Sequence, residues 1–159
     1  MADRTSSSIA VAAPGTAVMG VIADFAAYPD WATGVRSAEV IEAGPGGRAA
    51  AVRFVLDAGI IKDTYVLAYE WDADAAVRWN LSGPGSMISE MSGGYLLSPD
   101  AGGTRVTYEL AVGLRVPMLG MLKRKAEKTI VDTALKGLKK RTESLLAGSA
   151  GQTAGGSHE

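Results

Sequence analysis

The sequence predicts an α+β fold in which a curved antiparallel sheet of about seven strands surrounds one long C-terminal helix, with two short helices after the first strand. Two patterns carry this prediction. Between Val35 and Leu114, apolar and polar residues alternate, and turn-forming residues recur roughly every ten positions, as in an antiparallel sheet with one covered face. From Met118 to about Leu146, apolar residues recur at steps of three and four, as on one face of a helix.

The N-terminal segment supplies the first strand and the two short helices. Residues 8–13 form a short apolar run that suits a strand. Residues 16–24 indicate a helix after Pro14, a residue that the first helical turn tolerates. Pro29 then interrupts the helical pattern, so we expect two short helices that meet at a corner. The aromatic side chains expected beneath this corner are Phe25, Tyr28 and Trp31.

Six further strands are separated by glycine- and proline-containing turns. The strongest turn signals are Gly44–Gly47 and Asp100–Gly103. Alternation is clearest in the third of these strands, because every second residue there is a large apolar or aromatic one. The predicted strands are 35–43, 49–57, 62–71, 77–81, 87–97 and 104–114.

The long helix carries apolar residues on one face and basic residues mainly on the other. At 1.5 Å per residue it spans roughly 40 Å, enough to cross a small domain. Gly137 lies on the inner side, where it allows close approach to the sheet or leaves room for something else. Residues 148–159 have nothing to bury, so we expect a domain of residues 1–147 followed by a disordered tail. The apolar face consists of Leu119, Leu122, Ala126, Ile130, Ala134 and Leu138.

Length and composition limit the classes of protein to which this chain can belong. The 159 residues fit one domain, and the absence of cysteine excludes disulfides and thiolate chemistry. The N-terminal residues lack the apolar core of a signal peptide, and no stretch approaches the roughly 20 apolar residues of a membrane span. We therefore expect a soluble, cytoplasmic protein.

The sequence lacks the residue patterns of several common kinds of catalytic site. The only histidine is His158, in the predicted tail, which excludes a Ser-His-Asp triad and histidine-rich metal sites. No phosphate-binding glycine motif follows a strand, so we predict no cofactor and no metal. Basic residues are not interleaved with aromatic ones, which argues against binding of nucleic acid. Asp63 and Glu90, the carboxylates nearest to the apolar strand faces, are expected to contact solvent.

Charge is unevenly distributed along the chain. Residues 1–118 carry eight basic and thirteen acidic side chains, a net charge of −5, whereas residues 119–147 carry eight basic and three acidic ones, a net charge of +5. The favoured interpretation is a solvated helix face. The alternative is an interaction module whose basic helix makes peripheral contact with anionic lipid or an acidic partner.

Five segments together resemble a known group of proteins. They are Ile9–Pro14, Ala23–Trp31, Tyr65–Trp71, Gly103–Tyr108 and Gly120–Lys128. In order and spacing the chain, from about residue 7 to 144, resembles the START-like (SRPBCC) helix-grip superfamily, in particular the polyketide cyclase/dehydrase and lipid transport family. The resemblance implies an internal pocket for a hydrophobic molecule such as a lipid, quinone or polyketide. It does not imply one activity.

The leading functional hypothesis is therefore binding or carriage of a hydrophobic small molecule between the sheet and the long helix, without catalysis. Strand aromatics and methionines would line the pocket. For any single residue plain core is the favoured explanation, whereas for the set as a whole the pocket is favoured. The alternative enzymatic hypothesis is an aromatase/cyclase or dehydratase acting on a polyketide-like substrate. No catalytic residue is assigned. The candidate ligand-binding residues are Phe54, Leu56, Tyr65, Leu67, Tyr69, Trp79, Met87, Met91, Tyr95, Tyr108, Leu110, Met118, Leu122, Ala126 and Ile130.

Overall fold

The computed structural model describes residues 4–57, 59, 62–115 and 120–156, and its elements follow the predicted order. The strands are β1 (Thr5–Val11), β2 (Val35–Ala43), β3 (Ala49–Asp57), β4 (Lys62–Asp72), β5 (Ala76–Leu81), β6 (Ile88–Asp100) and β7 (Gly103–Leu114). The helices are α1 (Gly15–Ala23), α2 (Tyr28–Trp31) and α3 (Gly120–Gly156), with 3₁₀ turns at Phe25–Ala27 and Pro45–Gly47. The predicted α+β architecture is confirmed.

The strands form one antiparallel sheet in the order β1-β7-β6-β5-β4-β3-β2. The five neighbouring pairs from β2 to β7 are joined directly along the chain, as expected for short connections with strong turn residues. The helices α1 and α2 carry the chain from β1, at one edge, to β2, at the other. Register shifts in the β2–β3 pair and between Ile88 and Glu90 bend the sheet locally, because a bulge increases strand twist.

Alternation along the strands places one set of large side chains on the concave face. Val52, Phe54 and Leu56 of β3 are buried, and Tyr65, Leu67 and Tyr69 of β4 lie opposite or diagonal to them. The helices cover this face, with α3 lying against β1, β7, α1 and α2. The period-two pattern therefore predicted the correct inner face for the central strands.

The face that α3 buries differs in part from the predicted one: Leu138 is buried as predicted, and Leu119 lies outside the described residues. Leu122 is 48% exposed, and Ala126, Ile130 and Ala134 are only partly buried. The buried stripe begins one position later, a rotation of roughly 100°. It consists of Glu127, Val131, Leu135, Leu138 and Thr142.

Glu127 explains this rotation. Its side chain is 1% exposed, accepts a hydrogen bond from the backbone N–H of Val112 at 2.9 Å, and accepts another from the Thr5 hydroxyl at 3.1 Å. The pairing of β1 with β7 begins at Thr5 and Leu110, so Val112 lies beyond the end of β1. The carboxylate supplies an acceptor for the Val112 N–H, and its burial is tolerated because it is hydrogen-bonded.

A second pair of polar side chains fixes the other part of α3 to β1. Glu143 accepts a hydrogen bond from the N–H of Ala12 at 2.8 Å, and Lys139 donates one to the carbonyl of Ala10 at 3.0 Å. The Ala12 hydrogen bond, together with the nearby Lys139 ammonium, lowers the pKa of Glu143. The helix is thus attached to the first strand at two places about four turns apart.

Past Leu146, where the sequence pattern predicts its end, α3 continues to Gly156. That residues 148–159 lie outside the folded domain stays a prediction. Among the helices that the structure describes, none has a stretch long and apolar enough to cross a bilayer.

Candidate functional site: an aromatic cavity between sheet and helix

A small cavity lies between α3, α2 and the concave face of the sheet. Its volume is about 80 Å³. That is room for two or three water molecules or for one end of an organic ligand, whereas pockets for whole drug-sized ligands measure about 300–1,000 Å³. The lining residues are Tyr28, Trp31, Ala32, Thr33, Val35, Phe54, Leu56, Tyr65, Leu67, Tyr69, Trp79, Met91, Tyr95, Tyr108, Leu110, Ile130 and Ala134.

Most of the candidate ligand-binding residues line this cavity. The structure brings together the candidates from β3, β4, β5 and β7, two candidates from β6 and one from α3. They are Phe54, Leu56, Tyr65, Leu67, Tyr69, Trp79, Met91, Tyr95, Tyr108, Leu110 and Ile130. That they bind a ligand stays a prediction.

Three described candidates do not line the cavity, and a fourth is not described. Met87 does not line the cavity, because the bulge between Ile88 and Glu90 shifts it out of phase with Met91. Leu122 and Ala126 line a cleft on the surface instead, as a consequence of the rotation of α3. Met118 lies outside the described residues.

Six lining residues are absent from the candidate set. They are Tyr28, Trp31, Ala32, Thr33, Val35 and Ala134. Five of them come from α2, the connection after it and the start of β2, so the predicted corner is one wall of the cavity as well as a packing element. The aromatic pair Tyr28 and Trp31 was the available signal, since both were expected to pack against the sheet.

Five tyrosines give the cavity its polar character. The hydroxyl of Tyr28 donates a hydrogen bond to the carbonyl of Ile22. Within the described part of the chain, the other four hydroxyls have no hydrogen-bond partner. Burial raises the pKa of all five well above the ordinary value of a tyrosine, so they stay neutral. The four are Tyr65, Tyr69, Tyr95 and Tyr108.

Aromatic packing holds these rings in place. Phe54 stacks on Tyr65 with ring centroids 5.7 Å apart, and Tyr95 contacts Tyr108 at 4.6 Å. The indole of Trp79 lies over Gly93 of the neighbouring strand, where an added Cβ would approach the ring within 2.9 Å. A glycine at this position therefore makes room for a large side chain, and the aromatic pairs restrict how the rings rotate.

The α2 wall is fixed directly to α3. Trp31 is buried, and its carbonyl oxygen would lie 2.1 Å from a Cβ at position 137. Gly137 therefore allows close approach to α2, rather than to the sheet as one prediction had it. The indole N–H of Trp31 is buried and has no acceptor among the described residues.

Asp63 is a structural residue, and the expectation that it contacts solvent is wrong. Its side chain accepts hydrogen bonds from the backbone N–H groups of Thr64, Ser86, Met87 and Ile88 at 2.7–2.9 Å. Burial alone would raise the pKa of Asp63, but these four donors outweigh it and lower the pKa. The carboxylate thus holds the β5–β6 loop against the start of β4. Glu90 is exposed, as expected.

The described residues that line the cavity are suited to binding and orienting a ligand. Among them there is no Asp, Glu, Lys, Arg or His. The neutral phenols can donate hydrogen bonds to a carbonyl or ether oxygen. Because their pKa values are raised, they stay protonated near neutral pH and do not act as bases. The described residues also contain no grouping of His, Asp and Glu that could hold a metal ion.

Solved structures place this arrangement in a known class. The START superfamily protein from Mycobacterium smegmatis has a TM-score of 0.82 at 20% identity, over 89% of this chain and 98% of that one. A protein from Thermus thermophilus has a TM-score of 0.78 at 26% identity, over 90% and 99%. The Zhui aromatase/cyclase from Streptomyces sp. R1128 has a TM-score of 0.74 at 19% identity, over 90% and 94%. These similarities show that the protein has the helix-grip fold.

The family follows from the sequence itself. Residues 2–143 match the sequence profile described as polyketide cyclase/dehydrase and lipid transport. The chain belongs to this family. None of the curated proteins compared with the chain matches it.

Proposed function

We propose that this protein binds a hydrophobic small molecule, such as a lipid, a quinone or a polyketide-like compound, in the cavity between sheet and α3, and that it acts as a binder or carrier without catalysing a reaction. The single observation that carries the proposal is the lining of the cavity. It combines apolar walls with four phenol hydroxyls that have no partner in the described chain. Unpartnered donors on an apolar wall suit a ligand that has one oxygen acceptor.

The size of the cavity defines what binding requires. A lipid, quinone or polyketide is larger than about 80 Å³. A ligand of that kind must therefore displace aromatic side chains, or part of it must lie outside the cavity. Affinity would come mainly from buried apolar area, at about 25 cal/mol per Å². The hydroxyls would select the orientation of the ligand.

The proposal is tested by filling the cavity. Ala134 lines it and is partly buried, so Ala134→Leu adds three carbon atoms to its α3 wall. We expect the variant to bind N-phenyl-1-naphthylamine at least about tenfold more weakly than the wild type, because the added side chain occupies the space that the ring enters. Fluorescence enhancement of the probe measures the affinity.

Ala147→Leu is the matched control, since Ala147 is exposed on the same helix and far from the cavity. It should leave probe affinity unchanged. Circular dichroism and thermal unfolding would establish that both variants are folded. Equal probe binding by wild type and Ala134→Leu would contradict the proposal. Native mass spectrometry of freshly purified protein, followed by denaturing extraction, would identify a copurified ligand.

An aromatase/cyclase activity is the second candidate. It is favoured by the similarity in fold to the Zhui aromatase/cyclase and to the di-domain aromatase/cyclase BexL. Against it stands the lining of the cavity, which has no carboxylate, histidine or lysine among the residues that the structure describes. Catalysis here would have to rely on phenols that hold a substrate carbonyl and favour one folded conformation of the chain. Conversion of a linear aromatic polyketide by the wild type, lost in Tyr65→Phe and Tyr108→Phe, would support this candidate.

Docking through α3 is a third, weaker candidate. Its described exposed cations include Lys125, Lys128, Lys136 and Lys140. Such a face suits anionic lipid, but it equally suits water. Cosedimentation with phosphatidylserine vesicles that vanishes as salt is raised would favour the membrane interaction.

A further inference from the structure

The apolar stripe that was predicted to be the buried face of α3 lies partly at the surface. This position suggests contact with a ligand rather than with the core. Leu122, Ala126 and Ile130 follow one another at intervals of four residues, and Ala134 continues the line. Leu122 is 48% exposed, whereas Ile130 and Ala134 line the cavity. The stripe therefore runs from the surface of the protein into its interior, although the buried contact with the sheet is made by another face.

A surface cleft of about 520 Å³ lies over the exposed part of this stripe. Thr33 and Ile130 line both the cleft and the cavity, so the two spaces adjoin. Together they reach the size of an ordinary small-molecule site, which the cavity alone does not. The cleft residues are Thr33, Gly34, Asp57, Gly59, Leu122, Lys125, Ala126, Thr129, Ile130 and Thr133.

Two charged side chains line the cleft, and they differ in their partners. Asp57 forms an ion pair with Arg36 at 3.1 Å and accepts a hydrogen bond from the N–H of Gly59. The Gly59 hydrogen bond and the Arg36 ion pair lower the pKa of Asp57, so its carboxylate is anionic. The guanidinium of Arg36 already balances this negative charge. Lys125 is exposed and forms no ion pair with any residue that the structure describes. The charge left for a ligand in this cleft is therefore positive.

Building on the proposed function, we propose that the ligand is an elongated amphiphile with one anionic end. Its apolar end enters the aromatic cavity, its middle lies along Leu122, Ala126 and Ile130, and its anionic group lies beside Lys125 at the surface. This arrangement keeps the charge in water, which avoids the cost of burying it. It also places a hydrophobic chain on an apolar helix stripe that is otherwise exposed.

The test compares two ligands that differ only in the charged end. Dodecanoate and dodecanol are titrated into the full-length protein, and binding is followed through tryptophan fluorescence, since Trp31 and Trp79 line the cavity. We expect the wild type to bind dodecanoate more tightly than dodecanol. Lys125→Glu should weaken dodecanoate binding about fivefold and leave dodecanol binding within about twofold, because an exposed ion pair contributes little and reversal of charge doubles the effect.

Lys136→Glu is the matched control. It makes the same charge change on the same helix, and Lys136 lines a different cleft with Lys140 and Arg141. If Lys136→Glu weakens dodecanoate binding as much as Lys125→Glu does, the effect is one of overall charge and the inference is wrong. Dodecanoate affinity that does not change in Lys125→Glu overturns it as well.

The apolar part of the inference has its own variant. Leu122→Asn exchanges an exposed apolar side chain for a polar one of similar size, so the fold should tolerate it. It should weaken the binding of both dodecanoate and dodecanol, because both alkyl chains lose a contact. Unchanged affinity for both would remove the stripe from the site. Binding of N-phenyl-1-naphthylamine that depends on Ala134, without any selectivity at Lys125, would retain the proposed function and overturn this inference alone.

Discussion

The buried carboxylates and the buried phenols of this protein differ in their hydrogen bonding. Asp63 accepts four backbone hydrogen bonds, and Glu127 accepts one from Val112 and one from Thr5. Around the cavity, Tyr65 and three further tyrosines have no partner in the described chain. Both kinds of group are costly to desolvate, but only the first kind is compensated within the protein.

This difference separates the part of the molecule that maintains the fold from the part that is available for binding. The carboxylates lie where backbone N–H groups need acceptors: beside Val112, past the Thr5 end of β1, and at the β5–β6 loop. The phenols lie where the sheet and α3 leave a gap. Among the described residues, the fully buried side-chain polar atoms without a partner are the indole nitrogen of Trp31 and the hydroxyl of Thr142. The phenol oxygens are not among them, and a ligand oxygen that enters the cavity can accept a hydrogen bond from them.

The largest effect is expected for Asp63→Ala. Removing this carboxylate leaves four backbone N–H groups near Ile88 without their acceptor, and we expect a loss of about 3 kcal/mol or more in the free energy of unfolding. Asp57→Ala is the control, since the Asp57 carboxylate forms an ion pair with Arg36 at the protein surface, and its removal should lower the free energy of unfolding far less than removal of the Asp63 carboxylate does. Urea denaturation measures both. Equal losses would contradict the assignment of Asp63 as a structural anchor.

The same residue predicts a dependence on pH. Because the pKa of Asp63 is lowered in the folded state, its contribution to stability is fully present above the ordinary aspartate value of about 3.9 and is lost as pH falls through the lower folded value. The wild type should therefore lose more stability than Asp63→Asn between about pH 5 and pH 2. Parallel pH profiles of the two proteins would argue against a native carboxylate with these four donors.

A smaller effect should distinguish one tyrosine from the others. Tyr28→Phe removes a hydroxyl that donates to the carbonyl of Ile22, and we expect a loss of about 1 kcal/mol. Tyr65→Phe removes an unpartnered hydroxyl from the same aromatic cluster, so the free energy of unfolding should change by less than about 0.5 kcal/mol or increase. Thermal unfolding of the two variants in parallel makes the comparison. A large loss in Tyr65→Phe would mean that its hydroxyl has a partner in the native protein.

How far the sequence predicted the structure depended on the range of the interactions involved. Alternation along β3 and β4 correctly predicted that Phe54, Tyr65 and Tyr69 face inward, because the direction of a side chain in a strand depends on its position among its sequence neighbours. The buried face of α3 could not be predicted in the same way. Burial of Glu127 depends on where β1 ends relative to Val112, a relation between three distant segments.

The errors at the candidate site have the same origin. Asp63 lies at a strand end, and only the return of the β5–β6 loop, with Gly85 closely packed against the carboxylate, covers it. Met87 was placed by extending a regular strand through what is a bulge at Ile88. Both errors arise from contacts or irregularities that a period-two pattern does not contain.

The central claim is that the unpartnered phenols of the cavity bind a ligand oxygen. The most direct test is to compare 2-acetylnaphthalene with 2-ethylnaphthalene, which differ only by a carbonyl in place of a methylene group, in binding to the wild-type protein by calorimetry. We predict that the ketone binds about threefold more tightly, since a phenol donates to its oxygen. Tighter binding of the hydrocarbon would mean that the cavity is simply apolar and would contradict the account.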